Sequence, residues 1–165
     1  MKGSSGIKGL HHNAYRCRDS EETRAFYEDF LGLPLAKAFE ISATQTGRAT
    51  HVLHAFYAMD DGSYLAFFDA PDMPFEFKPQ HDFDLHIALE VDREHLQAMH
   101  AKGLAAGIET RGIVEHGAIE SVYFRDPNGY VIELAARTQP SAEAPSVVAE
   151  RARQRLDDWQ SRRAS

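Results

Sequence analysis

Cysteine is almost missing from this 165-residue chain, which carries only Cys17. No internal disulfide can form, and that suits a reducing compartment. Long apolar runs are missing too. None approaches the roughly 20 residues that a membrane-crossing helix needs. The first residues, Met1 to Gly6, hold no apolar stretch of the kind a secretory leader requires, so a cytoplasmic location is expected. Nor is there an excess of basic charge. The formal net charge is -7, which argues against a nucleic-acid partner, because phosphate binding needs a basic patch. What is present is the composition of an ordinary folded protein, 43% hydrophobic and 26% charged. A small-molecule partner is the default that remains.

The chain reads as a repeat. A strand over Ile7–Cys17 is predicted to lead into a helix over Glu21–Leu31, capped by Asp19 or Ser20, whose side-chain oxygens accept bonds from first-turn amides. Phe26, Phe30 and Leu31 give this helix an apolar face, and Gly32 and Pro34 end it. Strands over Leu35–Thr44, Thr50–Ala58 and Ser63–Asp69 follow, the last two joined by Asp60-Asp61-Gly62. After a linker over Ala70–Asp82, the order recurs: strand Phe83–Val91, helix Arg93–Ala106, then strands Glu109–Glu115, Ile119–Arg125 and Tyr130–Ala136. The expected fold is α+β. Two βαβββ modules, residues 7–70 and 83–137, would make a single domain over 7–137, with a curled mixed sheet around a metal cleft. Residues 138–165 form a tail whose helix, Val147–Arg163, is expected to pack its stripe of Val148, Ala152, Leu156 and Trp159 on the same domain.

Strand alternation sorts the polar residues. Leu85, Ile87, Leu89 and Val91 form one face of the fifth strand, so His86 lies on the other. Tyr130, Ile132 and Leu134 form one face of the eighth strand, so Glu133 lies opposite. A carboxylate among Val131, Ile132, Leu134 and Ala135 is costly to bury without a positive partner. A metal ion is one such partner, Arg16 or Arg125 another, and a plain His86–Glu133 hydrogen bond a third account. Aligning the halves sets Leu10-His11-His12 over Asp84-Leu85-His86, which picks His12 as the mate of His86. It also sets Ser63-Tyr64-Leu65-Ala66-Phe67 over Gly129-Tyr130-Val131-Ile132-Glu133, so Glu133 is matched by Phe67, which cannot coordinate. If His12, His86 and Glu133 converge, they make a two-histidine, one-carboxylate set with open positions, as in non-haem Fe(II) sites. His51 and His54 share a strand on opposite faces, so at most one faces the cleft.

Several segments resemble the vicinal oxygen chelate superfamily, which includes glyoxalase I, type I extradiol dioxygenases, fosfomycin-resistance thiol transferases and metal-free bleomycin-resistance proteins. They are Gly9-Leu10-His11-His12, Phe26-Tyr27 with Leu31-Gly32-Leu33-Pro34, Phe83-Asp84-Leu85-His86, and Tyr123-Phe124-Arg125-Asp126-Pro127-Asn128-Gly129 followed by Glu133. The resemblance implies paired βαβββ units and places the ligand positions on His12, His86 and Glu133. The fourth ligand position, used by glyoxalase I, falls on Phe67, which leans toward three-ligand members. Tyr123 matches a tyrosine that the dioxygenases carry, and His116 lies near the turn where they place a further histidine. The base those enzymes carry upstream of the second histidine falls on Pro71.

The leading expectation is thus an extradiol-type dioxygenase using Fe(II), with Mn(II), Zn(II) or Ni(II) as other candidates, acting with O2 on a catechol-like or vicinally oxygenated compound. Tyr123 would hold an oxygen, and His116, His51 or His54 would move protons. Phe56, Tyr57, Tyr64, Phe67 and Phe68 would wall a pocket for a flat ring. A redox-neutral lyase, isomerase or thiol transferase on the same metal is the second reading, and a drug-sequestering binding protein the third. A homodimer is the expected assembly.

Overall fold

The computed structural model describes residues 6–77, 81, 83–139 and 143–163. Met1–Ser5 and parts of the Ala70–Asp82 linker therefore lie outside the described residues. The strands are β1 (Tyr15–Cys17), β2 (Leu35–Ala43), β3 (Ala49–Ala58), β4 (Tyr64–Asp69), β5 (His86–Glu90), β6 (Thr110–Glu115), β7 (Ile119–Arg125) and β8 (Val131–Arg137). The helices are α1 (Ser20–Arg24), which runs on as a π-helical stretch over Ala25–Phe30, α2 (Arg93–Ala105) and α3 (Pro145–Arg163).

Two four-stranded mixed sheets result, in the orders β1-β4-β3-β2 and β5-β8-β7-β6. Each first strand runs parallel to the last of its unit, and the other pairings are antiparallel. The duplicated order is the predicted one. The predicted α+β fold of two βαβββ modules forms, each module giving one open four-stranded mixed sheet.

Local chemistry sets the elements. Asp19 is the cap of α1, its Oδ1 accepting from Glu22 N at 2.8 Å. The turns at Gly62 and Gly129 hold φ of 84° and 96°, a region that glycine enters without a Cβ clash. Inner-facing side chains build one core from both units: Tyr27, Phe30, Tyr57, Leu65 and Phe67 meet Leu96, Val122, Phe124, Ile132 and Leu134. Each large side chain buried there contributes on the order of 2 kcal/mol.

The halves are tied by side chains. Tyr27 Oη donates to Asp126 Oδ2 at 2.9 Å, Tyr130 Oη to the Arg16 carbonyl at 2.9 Å, and Arg18 N to Asn128 Oδ1 at 2.8 Å. Lys102 Nζ reaches the Phe30 carbonyl at 2.5 Å. Among the described residues, no main-chain to main-chain hydrogen bond joins one sheet to the other.

Four expectations need correction. The first strand is short: residues before Tyr15 make only an isolated parallel bridge, His12 to Tyr64, and Ile7 and Leu10 are exposed with no core beneath them. The fifth strand starts at His86 and not Phe83, which is 91% exposed. The tail helix forms but its stripe is not buried: α3 has no buried residue, and Val148, Leu156 and Trp159 are exposed.

The fourth correction concerns register. His12 bridges Tyr64 as His86 pairs with Val131, so the mate of Glu133 is Ala66 and not Phe67. Phe67 points into the core, 4.6 Å ring to ring from Tyr27. Alanine cannot coordinate either, so the absence of a fourth ligand stands on different grounds. Tyr57 and Phe67, expected in a pocket wall, are core residues.

Candidate functional site

Both sheets turn one face to the core and leave the other free of it. On the second sheet, Ile132 and Leu134 enter the core, so alternation turns Glu133 to the free face. Its carboxylate is only 6% exposed. Oε1 accepts from Ser121 Oγ at 2.5 Å, and Oε2 lies 3.2 Å from His86 Nε2. The buried carboxylate thus has both a neutral donor and an imidazole, and neither Arg16 nor Arg125 fills that role.

Tyr123 pairs directly across from Glu133 on β7. Burial raises its pKa, and the Glu133 charge raises it further, so the phenol stays protonated at neutral pH. His116 Nε2 lies 3.0 Å from the Tyr123 hydroxyl, and the Arg111 guanidinium covers the ring at 4.5 Å from its centre. One face therefore gathers His86, Glu133, Tyr123 and His116, all singled out in the sequence, with Ser121 and Arg111 added. Ser121 had no motif to mark it. Its position, two residues before Tyr123 and so on the same strand face, is the signal that could have found it.

His12 is on the other sheet's free face. Its Nδ1 lies 2.7 Å from His11 Nδ1, one donating and the other accepting, and its ring is 5.5 Å from Phe56 and 6.3 Å from His54. His54 is 7% exposed, its ring stacked 3.8 Å from Phe68. Burial lowers its pKa, with nearby His12 adding to the effect, so the neutral imidazole is favoured. His51 is far out on β3, exposed, with Nε2 3.9 Å from Glu40. Of the two histidines on β3, His54 is the one that faces the cleft side.

His86 and Glu133 fit a divalent metal as two donors: an imidazole and a carboxylate converge, and Ser121 fixes the carboxylate's rotamer. The third donor is not beside them. Among the described residues, no group of three His, Cys, Asp or Glu side chains stands close enough to hold a metal ion. Within one chain, His86 and Glu133 stand together on one sheet and His12 on the other.

A family model described as the Glyoxalase/Bleomycin resistance protein/Dioxygenase superfamily matches residues 9–134. No curated protein sequence matches the chain. Solved structures do. A glyoxalase/dioxygenase from Nostoc punctiforme is 24% identical with a TM-score of 0.62, covering 84% of this chain and 97% of its own. The fosfomycin resistance protein FosX from Listeria monocytogenes, complexed with Mn(II) and sulfate, is 20% identical with a TM-score of 0.55, covering 80% and 94%. An antibiotic binding protein from Streptomyces sp. CB03234 is 20% identical with a TM-score of 0.59, covering 82% and 100%. At these identities the likeness is one of fold.

Proposed function

We propose, from the premise that the chain belongs to the Glyoxalase/Bleomycin resistance protein/Dioxygenase superfamily, that it is a divalent-metal enzyme acting on a vicinally oxygenated small molecule. His86 and Glu133 are its resident ligands, and His12 completes the set. The observation that carries this reading is the Glu133 carboxylate, buried and aimed at His86 Nε2. The solved relative holding Mn(II) supports the metal class. Fe(II) is the metal proposed here, since two imidazoles and one carboxylate with open positions suit oxygen chemistry. The finer reading is extradiol-type cleavage of a catechol-like compound with O2.

A metal at this place would supply Lewis acidity toward two substrate oxygens. The chain's own residues do the rest. Ser121 holds Glu133 in one rotamer. Tyr123, kept protonated, donates a hydrogen bond toward a substrate oxygen above Glu133. His116, with Nε2 3.0 Å from the Tyr123 hydroxyl, orients that hydroxyl and is the residue proposed to move protons between the site and solvent. His12 is supplied by a second copy of the chain, because in one chain it stands with His54 and not with Glu133.

Anaerobic purification, metal analysis by mass spectrometry and an oxygen electrode with a panel of catechols test this. Bound iron and oxygen uptake are expected from the native chain, and His86→Ala should lose both. A native chain that retains no divalent metal ends the metal reading. Bound metal with no oxygen uptake ends ring cleavage and leaves a redox-neutral Lewis-acid enzyme.

A further inference from the structure

Two surfaces lie open on the single chain, and their chemistry matches. The first is α3. Val148, Ala152, Leu156 and Trp159 follow one another at four- and three-residue spacing, so they share one face and run along it for roughly 17 Å. Val148, Leu156 and Trp159 are between 44% and 54% exposed, and α3 has no buried residue. The charges of the helix are sorted with this stripe. Arg155, Arg162 and Arg163 each stand three or four residues after one of its members and so lie beside it. Glu150, Asp157 and Asp158 do not. The open face is therefore apolar and basic, on a chain whose net charge is -7.

The second is a groove of about 440 Å³ beside α1 and its π-helical continuation. Phe26, Phe30, Ile108 and Pro127 supply its apolar lining, and Glu22 and Glu109 its exposed carboxylates. That volume lies within the range of about 300–1,000 Å³ that admits bulky groups. Each carboxylate faces one arginine of its own chain, Arg18 or Arg125, which leaves acceptor sites for a second donor. The helical stretch alongside carries Glu21, Glu22, Glu28 and Asp29 against Arg24 alone, so this flank is acidic. The tail leaves β8 at the other end of the sheet. Thr138 bonds to the Ala118 and Gly117 carbonyls ahead of β7, whereas the groove is built from Arg125 and Pro127 at the far end of that strand. An apolar, basic helix and an apolar, acid-rimmed groove thus occur on one chain without meeting.

We propose that α3 of a second copy of this chain occupies the groove. Its stripe lies on the apolar lining, and its arginines meet Glu22 and Glu109, as an amphipathic helix is held in a groove of opposite charge. Two-fold symmetry makes the contact reciprocal, each tail held by the other chain. A second copy is the occupant because it brings both members of the pair and satisfies both open surfaces at once. None of His12, His86 and Glu133 lines the groove, so the contact does not rest on the metal reading.

Trp159 is the only tryptophan in the chain, so its emission reports on this contact directly. Chelator-treated full-length protein is taken through a dilution series, with fluorescence and light scattering read together. Emission should move to shorter wavelength as the mass rises from one chain to two. Leu156→Glu should weaken association about tenfold or more and keep Trp159 in water where the native chain is paired. Its circular dichroism should match that of the native monomer, since no residue of α3 is buried. Glu22→Arg combined with Glu109→Arg should also weaken association about tenfold, through repulsion of the incoming arginines. A dimer indifferent to that groove pair would mean that the two helices pair with each other, and overturns the proposal. A blue-shifted monomer, the mark of a tail docked on its own chain, overturns it too. So does a chain that keeps Trp159 in water at every concentration, dimeric or not, a result that leaves the metal reading untouched. Failure of metal binding leaves the tail contact standing.

Discussion

Asp126 shows how a single residue can hold two units together. Its carboxylate is 4% exposed and takes hydrogen bonds from Tyr27 Oη, Asn128 N, Asn128 Nδ2 and Tyr130 N. Even so, its pKa is raised, because desolvation outweighs the donors. Asp126→Ala should cost about 3 kcal/mol in urea denaturation, since several buried donors lose their acceptor. The sign of the pH effect follows from linkage. A carboxyl raised in the folded state contributes most when protonated, and loses that contribution as pH rises through the raised value. The gap between native chain and variant should therefore be wider at pH 4 than at pH 7. The sequence marked Asp126-Pro127-Asn128-Gly129 only as a turn, because its partners Tyr27 and Thr23 lie about a hundred residues away. Alternation did read Glu133 and His86 correctly onto one face. It could not choose among metal, arginine and hydrogen bond, since that depends on which strands become neighbours.

At the level of elements, α2 is positioned by an absence of side chain. A Cβ on Gly103 would come 2.4 Å from Thr110 Oγ1 and 2.6 Å from Phe124 Cε1, and Phe124 is 1% exposed with nowhere to move. Alanine gains about 1 kcal/mol of helix propensity, but overpacking typically costs 1–3 kcal/mol. Gly103→Ala should lower the melting temperature in a calorimetric scan; a rise would mean that α2 has room to lift from β6 and β7. Element order and type were legible, since periodicity and turn residues are local signals. Strand beginnings were not. Leu10 and Phe83 continue the apolar alternation past the point where a neighbouring strand exists to pair with. The repeat register slipped by one in β4 for a related reason: composition aligned Phe67 with Glu133, whereas pairing aligns Ala66.

For the whole molecule, the separation of His12 from Glu133 gives a test that no single-chain site would pass. β1 and β5 are the outer strands of their sheets, and exposed Leu10 and Phe83 lie close in sequence to the two histidines. A second copy seated there by two-fold symmetry would offer its His12 to this chain's His86 and Glu133. Chains with His12→Ala and with His86→Ala should each fail to bind metal. Mixed after mild unfolding and refolding, they should regain about one quarter of the native sites, the statistical share of intact pairs. No recovery on mixing would show that both histidines must come from one chain.

Because no main-chain to main-chain hydrogen bond joins the sheets among the described residues, the angle between their two open faces is not fixed there by a ladder of amides. It depends on the shared core and on a few hydrogen bonds around it, Tyr27 to Asp126, Tyr130 to the Arg16 carbonyl, Arg18 to Asn128 and Lys102 to the Phe30 carbonyl. Substitutions at those few places could widen or narrow the gap where a ligand sits while every strand keeps its neighbours. Such a molecule can be retuned to a differently sized guest without being refolded.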